Sequence, residues 1–467
     1  MAVKCVQSRG LLNQYIAAVA ACLSVVNSSA CYGWVTPILD HLLGPDSEIP
    51  MTREQLSWVI PTIDLGLLIT PLPAGILSDY IGRKPVTFAT GPLYIISWLL
   101  VVFYPSVTML GAARLLQGLT MGLTYTAAPV YLGEIACKAN RGAITSIFFN
   151  LWWLGYLIQY AVGPFLSFYN FTYFTLSLNI PFMILFIWQP ESPYYHVMCG
   201  DMEKARTSLT WFRDSTVDEL QEELEEIKLS VEANQRSAGF RDLVTNSEGR
   251  KSLAILMMLS GATMLSGTGA ITVYATEIFD KTPNLSIPPD AVTIALGVIM
   301  LIGGVISSFT SDSLGRRPLL MISCIGSFIT QFITGTYYFL LFNTSLDISS
   351  FNWVAPILIL IYCGLCTAGM YPLCSVYTSE LFNSNTRGIA SSICTLFVTI
   401  FALISLVLYQ PVNDYVGIYG NFYIYSLAVL ISGTYCYFNA PETKGKSFVQ
   451  IREELLKCKG HCQYRWR

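Results

Sequence analysis

Asp64 and Arg114 each stand inside a long apolar run, where ionisable side chains are rare and usually functional. Each lies about eight residues from the same end of its run, hence roughly 12 Å deep at 1.5 Å per residue. Equal depth lets a carboxylate and a guanidinium pair, and a buried carboxyl can also carry a proton. Gln117, one turn after Arg114, and Asn150 and Gln159 on the next run add amides that could answer hydroxyl groups. Trp34, Trp152, Trp153 and Tyr371 offer flat faces that stack on a ring or pack helices; for each alone, packing is the better reading.

A second set of charges occurs twice in the same order. Asp79-Tyr-Ile-Gly82-Arg83-Lys84-Pro85 is echoed by Asp312-Ser-Leu-Gly315-Arg316-Arg317-Pro318. Glu134 with Arg141-Gly142 is echoed by Glu380 with Arg387-Gly388, seven residues from acid to base each time. Pro190-Glu191-Ser192 is echoed by Pro441-Glu442-Thr443. Each motif sits where an apolar run ends, so the chain is two related halves. In a membrane protein that arrangement suggests a carrier with its site between the halves. Gly82 permits a tight turn, and the carboxylates and guanidiniums can form a network holding the helix ends together. A purely topological role, as positive-inside anchors, is the bland alternative. Acidic partners at matching positions in both halves favour a gate.

These residues need long helices to position them. The chain has 467 residues, 53% hydrophobic and 12% charged, about half the charged share of a soluble domain. Apolar runs of about 20 residues call for an all-α polytopic membrane protein. Twelve spans are predicted, near 12–37, 55–78, 86–104, 107–133, 142–166, 170–189, 251–279, 289–311, 318–342, 353–381, 387–411 and 418–438. They divide the chain into a six-helix bundle at 1–190, a polar linker at 191–250, a second bundle at 251–438 and a tail at 439–467. In the linker, Asp201 can cap a helix through Met202–Phe212. Thr216-Val-Asp-Glu219 reads as a capping box before a helix with the stripe Leu220, Leu224, Ile227 and Val231; Phe240–Val244 is a third, short candidate.

Lys and Arg set the orientation. Arg83, Lys84, Lys138, Arg141, Arg316, Arg317 and Arg387 share the motif face with the linker, the tail, Lys4 and Arg9; the opposite face has little beyond Arg53 and Lys281. The motif face and both termini are therefore expected in the cytoplasm. Sequons at Asn170, Asn284 and Asn343 fall in loops assigned outside, while Asn27 lies within the first span. A cleaved N-terminal signal is the alternative, but it would leave eleven spans and break the motif pairing. The net charge of −3 is uninformative, because the charge lies in loops rather than in one patch; no nucleic-acid partner is expected. His41, His196 and His461 lie outside the spans, and the 13 cysteines read as buried free thiols rather than metal ligands or disulfides. No Gly-x-x-x-x-Gly-Lys-Ser/Thr string offers an ATP site. Without a nucleophile, metal cluster or acid/base pair, neither an enzyme nor a cofactor is expected.

The run Asp79-x-x-Gly-Arg-Lys, PVYLGEI at 129–135 before Arg141-Gly142, PESPYY at 190–195, DSLGRRP at 312–318, SELF at 379–382 and PETKGKSF at 441–448 resemble the sugar porter family of the major facilitator superfamily. GWVTP at 33–37 and LSWVIP at 56–61 are similar to insect facilitated trehalose transporters and their relatives. The resemblance implies two six-helix bundles, cytoplasmic helices between them, a central sugar site and, by analogy, the plasma membrane. It also places the family's sugar-contacting positions, and there the sequence departs. The seventh-span Gln-Gln-Leu-Ser-Gly-Ile-Asn becomes Thr263-Met264-Leu265-Ser266-Gly267-Thr268-Gly269. The fifth-span glutamine falls on Phe149, beside Asn150, and the eighth-span asparagine on Met300. The tenth-span Gly-Pro-x-Pro-Trp becomes Gly369-Met-Tyr-Pro-Leu-Cys-Ser375, and the eleventh-span tryptophan falls on Thr399. Tyr274 matches a seventh-span tyrosine near the outer gate. A dry site must answer each sugar hydroxyl or lose the hydrogen bond, so a typical hexose site is not expected.

Bacterial proton–sugar symporters of the family pair the matching fourth-span arginine with a first-span aspartate. None stands near Trp34 here, so Asp64 is the candidate for that role. The leading expectation is facilitative passage of a small polar solute, a sugar such as trehalose or a hexose, by alternating access. Proton coupling through Asp64 is the alternative, and a membrane sensor without turnover is the reading from another class.

Overall fold

The computed structural model describes residues 8–137, 139–213, 216–234, 243, 245, 247–283, 287–345, 351–382, 384–446 and 448–457. Among them, eight helices are long and apolar enough to cross a membrane, and a ninth results if the bent pair Arg53–Ile69 and Pro71–Ile81 counts as one. Three further helices, Val107–Ile135, Arg141–Val162 and Ile418–Asn439, carry more Gly, Thr, Ser and Tyr. Even the shorter two have 22 residues, about 33 Å at 1.5 Å per residue, enough for a hydrocarbon layer of ~30 Å. These make twelve, hereafter spans 1 to 12 in chain order.

Contacts divide the chain into units 1–236 and 237–467, each with six spans. The first unit also carries most of the polar segment. Helix Met202–Arg213 is tied to span 1 (Arg9–Leu43) by Asn13 and Gln14, whose amides donate to Trp211 and Phe212 carbonyls at 2.8 Å each. Arg213 donates to the Ile135 carbonyl at the end of span 4 at 2.7 Å and to Glu223 at 2.8–3.0 Å. The predicted stripe packs as expected: Leu220, Leu224 and Ile227 join Val197, Ala205 and Leu209 in one apolar cluster, with Val231 against it. Half of the capping box is present, Thr216 N donating to Glu219 at 3.3 Å. Of the third short candidate, only Leu243 is described.

Three interruptions matter for the site. Span 2 bends by 48° where Pro71 follows Ile69 by two residues; its first half lies against span 4 with almost no side chain between. A Cβ on Gly118 would stand 1.9 Å from the Ile63 carbonyl oxygen, so the backbones touch and Asp64 is drawn against span 4. Span 7 breaks at Leu265–Gly267, where Gly267 has φ 84°, a left-handed conformation only glycine adopts cheaply. Span 10 (Val354–Leu381) contains a π-turn at Cys366–Met370, a wide turn that commonly marks functional sites.

Candidate functional site

In the first unit the intramembrane polar residues converge on three consecutive residues of span 1. Tyr32 donates a short hydrogen bond to Asp64 of span 2. The Cys31 carbonyl accepts from Arg114 of span 4, which also donates to Gln117 at 3.3 Å. Gly33 faces the Gln159 side chain of span 5, where a Cβ would sit 3.0 Å away. The expected direct Asp64–Arg114 salt bridge does not occur among the described residues; span 1 instead hands each charge a different partner. Both are almost fully buried, at 0% and 1% exposure. Asp64 Oδ2, Arg114 Nη2, Gln117 Nε2 and Gln159 Nε2 have no hydrogen-bond partner within the protein. An orphaned buried polar group costs about 1–3 kcal/mol. Four in one neighbourhood make a buried polar cluster that the surrounding helices do not satisfy.

The charged motifs form a network in each unit. Gly82 opens span 3 (Arg83–Phe103) with φ 110°, and Gly315 opens span 9 (Arg316–Asn343) with φ 94°. The orphan N–H groups of both helix starts point at a glutamate. Glu191 accepts from Lys84 N at 3.0 and 3.1 Å and from Ser192 N at 2.7 Å. Glu442 accepts from Arg316 N at 3.1 Å and Arg317 N at 3.0 Å. Arg83 pairs with Glu134 at 3.1 Å and Asp79 at 3.0 Å, and Arg316 pairs with Glu380 at 3.0 Å. Burial lifts the Glu191 carboxyl above the usual carboxylate range, against the N–H groups of Ser192 and Lys84. Around Glu442 burial acts the same way, but backbone N–H groups of Lys444, Arg317, Arg316 and Thr443 together outweigh it and leave the carboxyl low. Arg141 is exposed at the first residue of its helix. The side chains of Asp312 and Arg387, and the whole of Lys138 and Asn284, lie outside the described residues. Asn170 and Asn343 are exposed at helix ends, and Asn27 is buried.

In the second unit the break in span 7 is closed by its neighbours. Gln331 of span 9 donates to the Ser266 carbonyl at 2.9 Å. Tyr362 of span 10 bonds the same carbonyl at 2.9 Å, the Ser266 hydroxyl at 2.7 Å and Thr268 at 2.7 Å. Farther along, Lys281 donates to Glu277 and Asn413 at 2.9 Å each, and Gln410 donates to Glu277 at 3.2 Å.

The sequence profile described as Sugar (and other) transporter matches residues 9–455. The chain belongs to that family. It is 28% identical over 450 residues to the facilitated trehalose transporter Tret1 of Bombyx mori, covering 95% of this chain and 87% of the relative. With the Polypedilum vanderplanki protein of the same name it shares 28% identity over 449 residues, covering 96% and 88%. Among solved structures, the inward-open xylose transporter XylE from E. coli superposes with TM-score 0.76 at 23% identity, covering 94% of this chain and 98% of that one. The proton:xylose symporter XylE bound to 6-bromo-6-deoxy-D-glucose gives 0.74 at 21%, covering 96% and 99%. That likeness establishes the fold, the twelve-helix major facilitator fold. The protein is a multi-pass membrane transporter and not an enzyme.

For this sugar transporter family member, the predicted cavity residues divide sharply. Asp64, Arg114, Gln117 and Gln159 share one neighbourhood. Asn150 is half-buried, with its Oδ1 unpartnered. Trp34 packs among Trp98, Phe168 and Phe171 at 5.2–6.5 Å and is fully buried. Thr263 and Thr399 are buried and bond carbonyls of their own helices, Leu259 at 2.8 Å and Thr395 at 2.8 Å. Tyr274 is buried with its ring stacked 4.3 Å from Tyr409. Ser375 is exposed. Sequence reasoning missed Tyr32, Gln331, Tyr362 and the Glu277–Lys281 cluster. It also missed Tyr131 and Tyr377, which donate to the Pro190 and Pro441 carbonyls at 2.9 and 3.1 Å. The signal for that last pair was present: each tyrosine precedes its motif glutamate, Glu134 or Glu380, by three residues.

Proposed function

We propose that this protein carries a sugar, trehalose or a hexose, across the plasma membrane by facilitated alternating access, with the motif networks at the cytoplasmic end and both termini inside. The observation that carries the reading is the family match across residues 9–455 together with a matching glutamate–arginine ion pair in each unit. A gate must be firm in one state and release in another, so each network can contribute only a few kcal/mol. The polar face of the first unit, Asp64, Arg114, Gln117 and Gln159, supplies hydroxyl-binding groups. The corresponding positions at 263–269 of the second unit turn inward to satisfy their own backbone. The site is thus expected to grip its sugar mainly from the first unit, with specificity unlike that of a glutamine-rich hexose site. Uptake of labelled trehalose, glucose and a polyol into vesicles, with and without a pH gradient, tests this. Uptake of none of them, with binding retained, would support the sensor instead.

A second reading adds protons. Asp64 is buried with one oxygen held by Tyr32 and the other unpartnered, which suits a carboxyl that takes up and releases a proton during the cycle. Gradient-dependent uptake abolished by Asp64→Asn would support it; uptake indifferent to pH in both proteins would end it.

A further inference from the structure

Cys374 of span 10 and Cys394 of span 11 hold their sulfurs 3.4 Å apart. The Ser260 hydroxyl of span 7 stands 3.5 Å from the first and 3.9 Å from the second. Ser260 is fully buried and the thiols are 6% and 7% exposed. A disulfide requires a separation of about 2.05 Å, so the sulfurs must close by roughly 1.4 Å. Cys374 lies six residues before the motif glutamate Glu380, about 9 Å along the helix from that end.

We propose that Cys374 and Cys394 are an oxidative cross-linking site, converted by hydrogen peroxide into a disulfide that arrests transport and is reopened by a thiol reductant. One sulfur, its proton drawn toward Ser260, attacks a peroxide oxygen; the O–O bond breaks, a sulfenic acid forms and one water leaves. The second sulfur attacks the sulfenic sulfur, the S–O bond breaks and a second water leaves. Two thiols and one peroxide thus give one disulfide and two waters, with two electrons passing from the sulfurs to the peroxide. Disulfides on the reducing side of a membrane are transient and redox-sensing as a rule, and a sulfenic acid beside a resolving thiol stops short of irreversible oxidation.

The consequence follows from span 10. Its π-turn at Cys366–Met370 separates Val354–Leu365 from Tyr371–Leu381, the segment that carries both Cys374 and Glu380 of the ion pair with Arg316. A disulfide would fix that segment to span 11 and remove the hinge's freedom. The arrest rests on the alternating-access reading above; the cross-link does not.

The test uses the full chain in vesicles. After peroxide, the protein is denatured in light maleimide so that every free thiol, buried ones included, is blocked; it is then reduced, and newly released thiols receive an isotopically heavy maleimide quantified by mass spectrometry. Heavy label should appear on Cys374 and Cys394 together, and labelled-sugar uptake should fall at least tenfold, with both reversed by dithiothreitol. In Cys374→Ser and Cys394→Ser no cross-linked Cys374–Cys394 peptide should form, the remaining cysteine can reach only a sulfenic acid that dimedone traps, and uptake should survive peroxide; Cys394→Ala serves if serine disturbs packing. Light label on both cysteines, under peroxide that oxidises the exposed Cys199, overturns the site. A complete cross-link with unchanged uptake overturns the arrest. A complete cross-link in a protein that never transports any sugar supports the site and counts against the transport reading.

Discussion

Gly82→Ala is the sharpest perturbation of the motif network, because its cost can be worked from the structure and compared with its repeat. At φ 110° and ψ 158°, a region open essentially to glycine alone, an L side chain adds about 2 kcal/mol of backbone strain. The new methyl would also stand 2.3 Å from Glu191 Oε2, so the carboxylate must leave the start of span 3. Its bonds to Lys84 N are charge-assisted, worth about 1.5–3 kcal/mol. The sum is roughly 3–5 kcal/mol, or a loss of two to three decades in the intact turn at ~1.4 kcal/mol per decade. In Gly315→Ala the methyl would stand 2.9 Å from Glu442 Oε2, which a small shift relieves, leaving mainly the strain of about 2 kcal/mol. At ~2–4 °C per kcal/mol for units of this size, Gly82→Ala should lower the melting temperature by roughly 10 °C and Gly315→Ala by roughly 4 °C. Thermal melts in detergent, paired with sugar uptake, measure both. Equal shifts, or a larger one for Gly315→Ala, would refute the idea that the Glu191 contact sets the difference.

Other predictions use different parts of the site. Tyr32→Phe removes the donor to Asp64 and should slow uptake at least tenfold with expression preserved, measured as initial rate; an unchanged rate would detach Tyr32 from the site. Tyr362→Phe removes the hydroxyl whose single proton and lone pairs bridge Ser266 and Thr268, so stability should fall by about 1–3 kcal/mol, read by thermal melt. The two motif glutamates should give opposite pH slopes. The lifted Glu191 carboxyl binds its proton more readily folded than unfolded, so its effect lowers stability as pH rises through the range just above ordinary carboxylates. The lowered Glu442 carboxyl contributes stability that is lost as pH falls below that range. Glu191→Gln should flatten the first slope and Glu442→Gln the second in melts taken across pH, and a shared sign for both would contradict the assigned environments.

The spans, the two halves and the motif residues were legible because each rests on a local signal: apolar length, Lys and Arg placement, or a repeated string. Even Arg83 with Glu134 could be anticipated from its repeat in Arg316 with Glu380. The partners of Asp64 and Arg114 were not legible, since equal depth says nothing about which third helix supplies them. Only the packing of span 1 beside the close approach at Gly118 brings Tyr32 to Asp64 and Cys31 to Arg114. The fate of 263–269 was half legible. The lost amides could be read, but the bonds from Gln331 and Tyr362 come from spans far along the chain and depend on helix packing. Cys374 and Cys394 read as scattered buried thiols for the same reason: twenty residues apart on different helices, they meet only in three dimensions.

The central claim is that an intact carrier scaffold moves sugar through a site gripped mainly by the first unit. Initial uptake of labelled trehalose and glucose into vesicles, for the native protein and for Gln159→Leu and Thr263→Val, tests it most directly. Saturable uptake of one of these sugars, cut at least tenfold by Gln159→Leu and nearly unchanged by Thr263→Val, is the predicted result. Loss of uptake through Thr263→Val with Gln159→Leu unaffected, or no saturable uptake of either sugar, would contradict it.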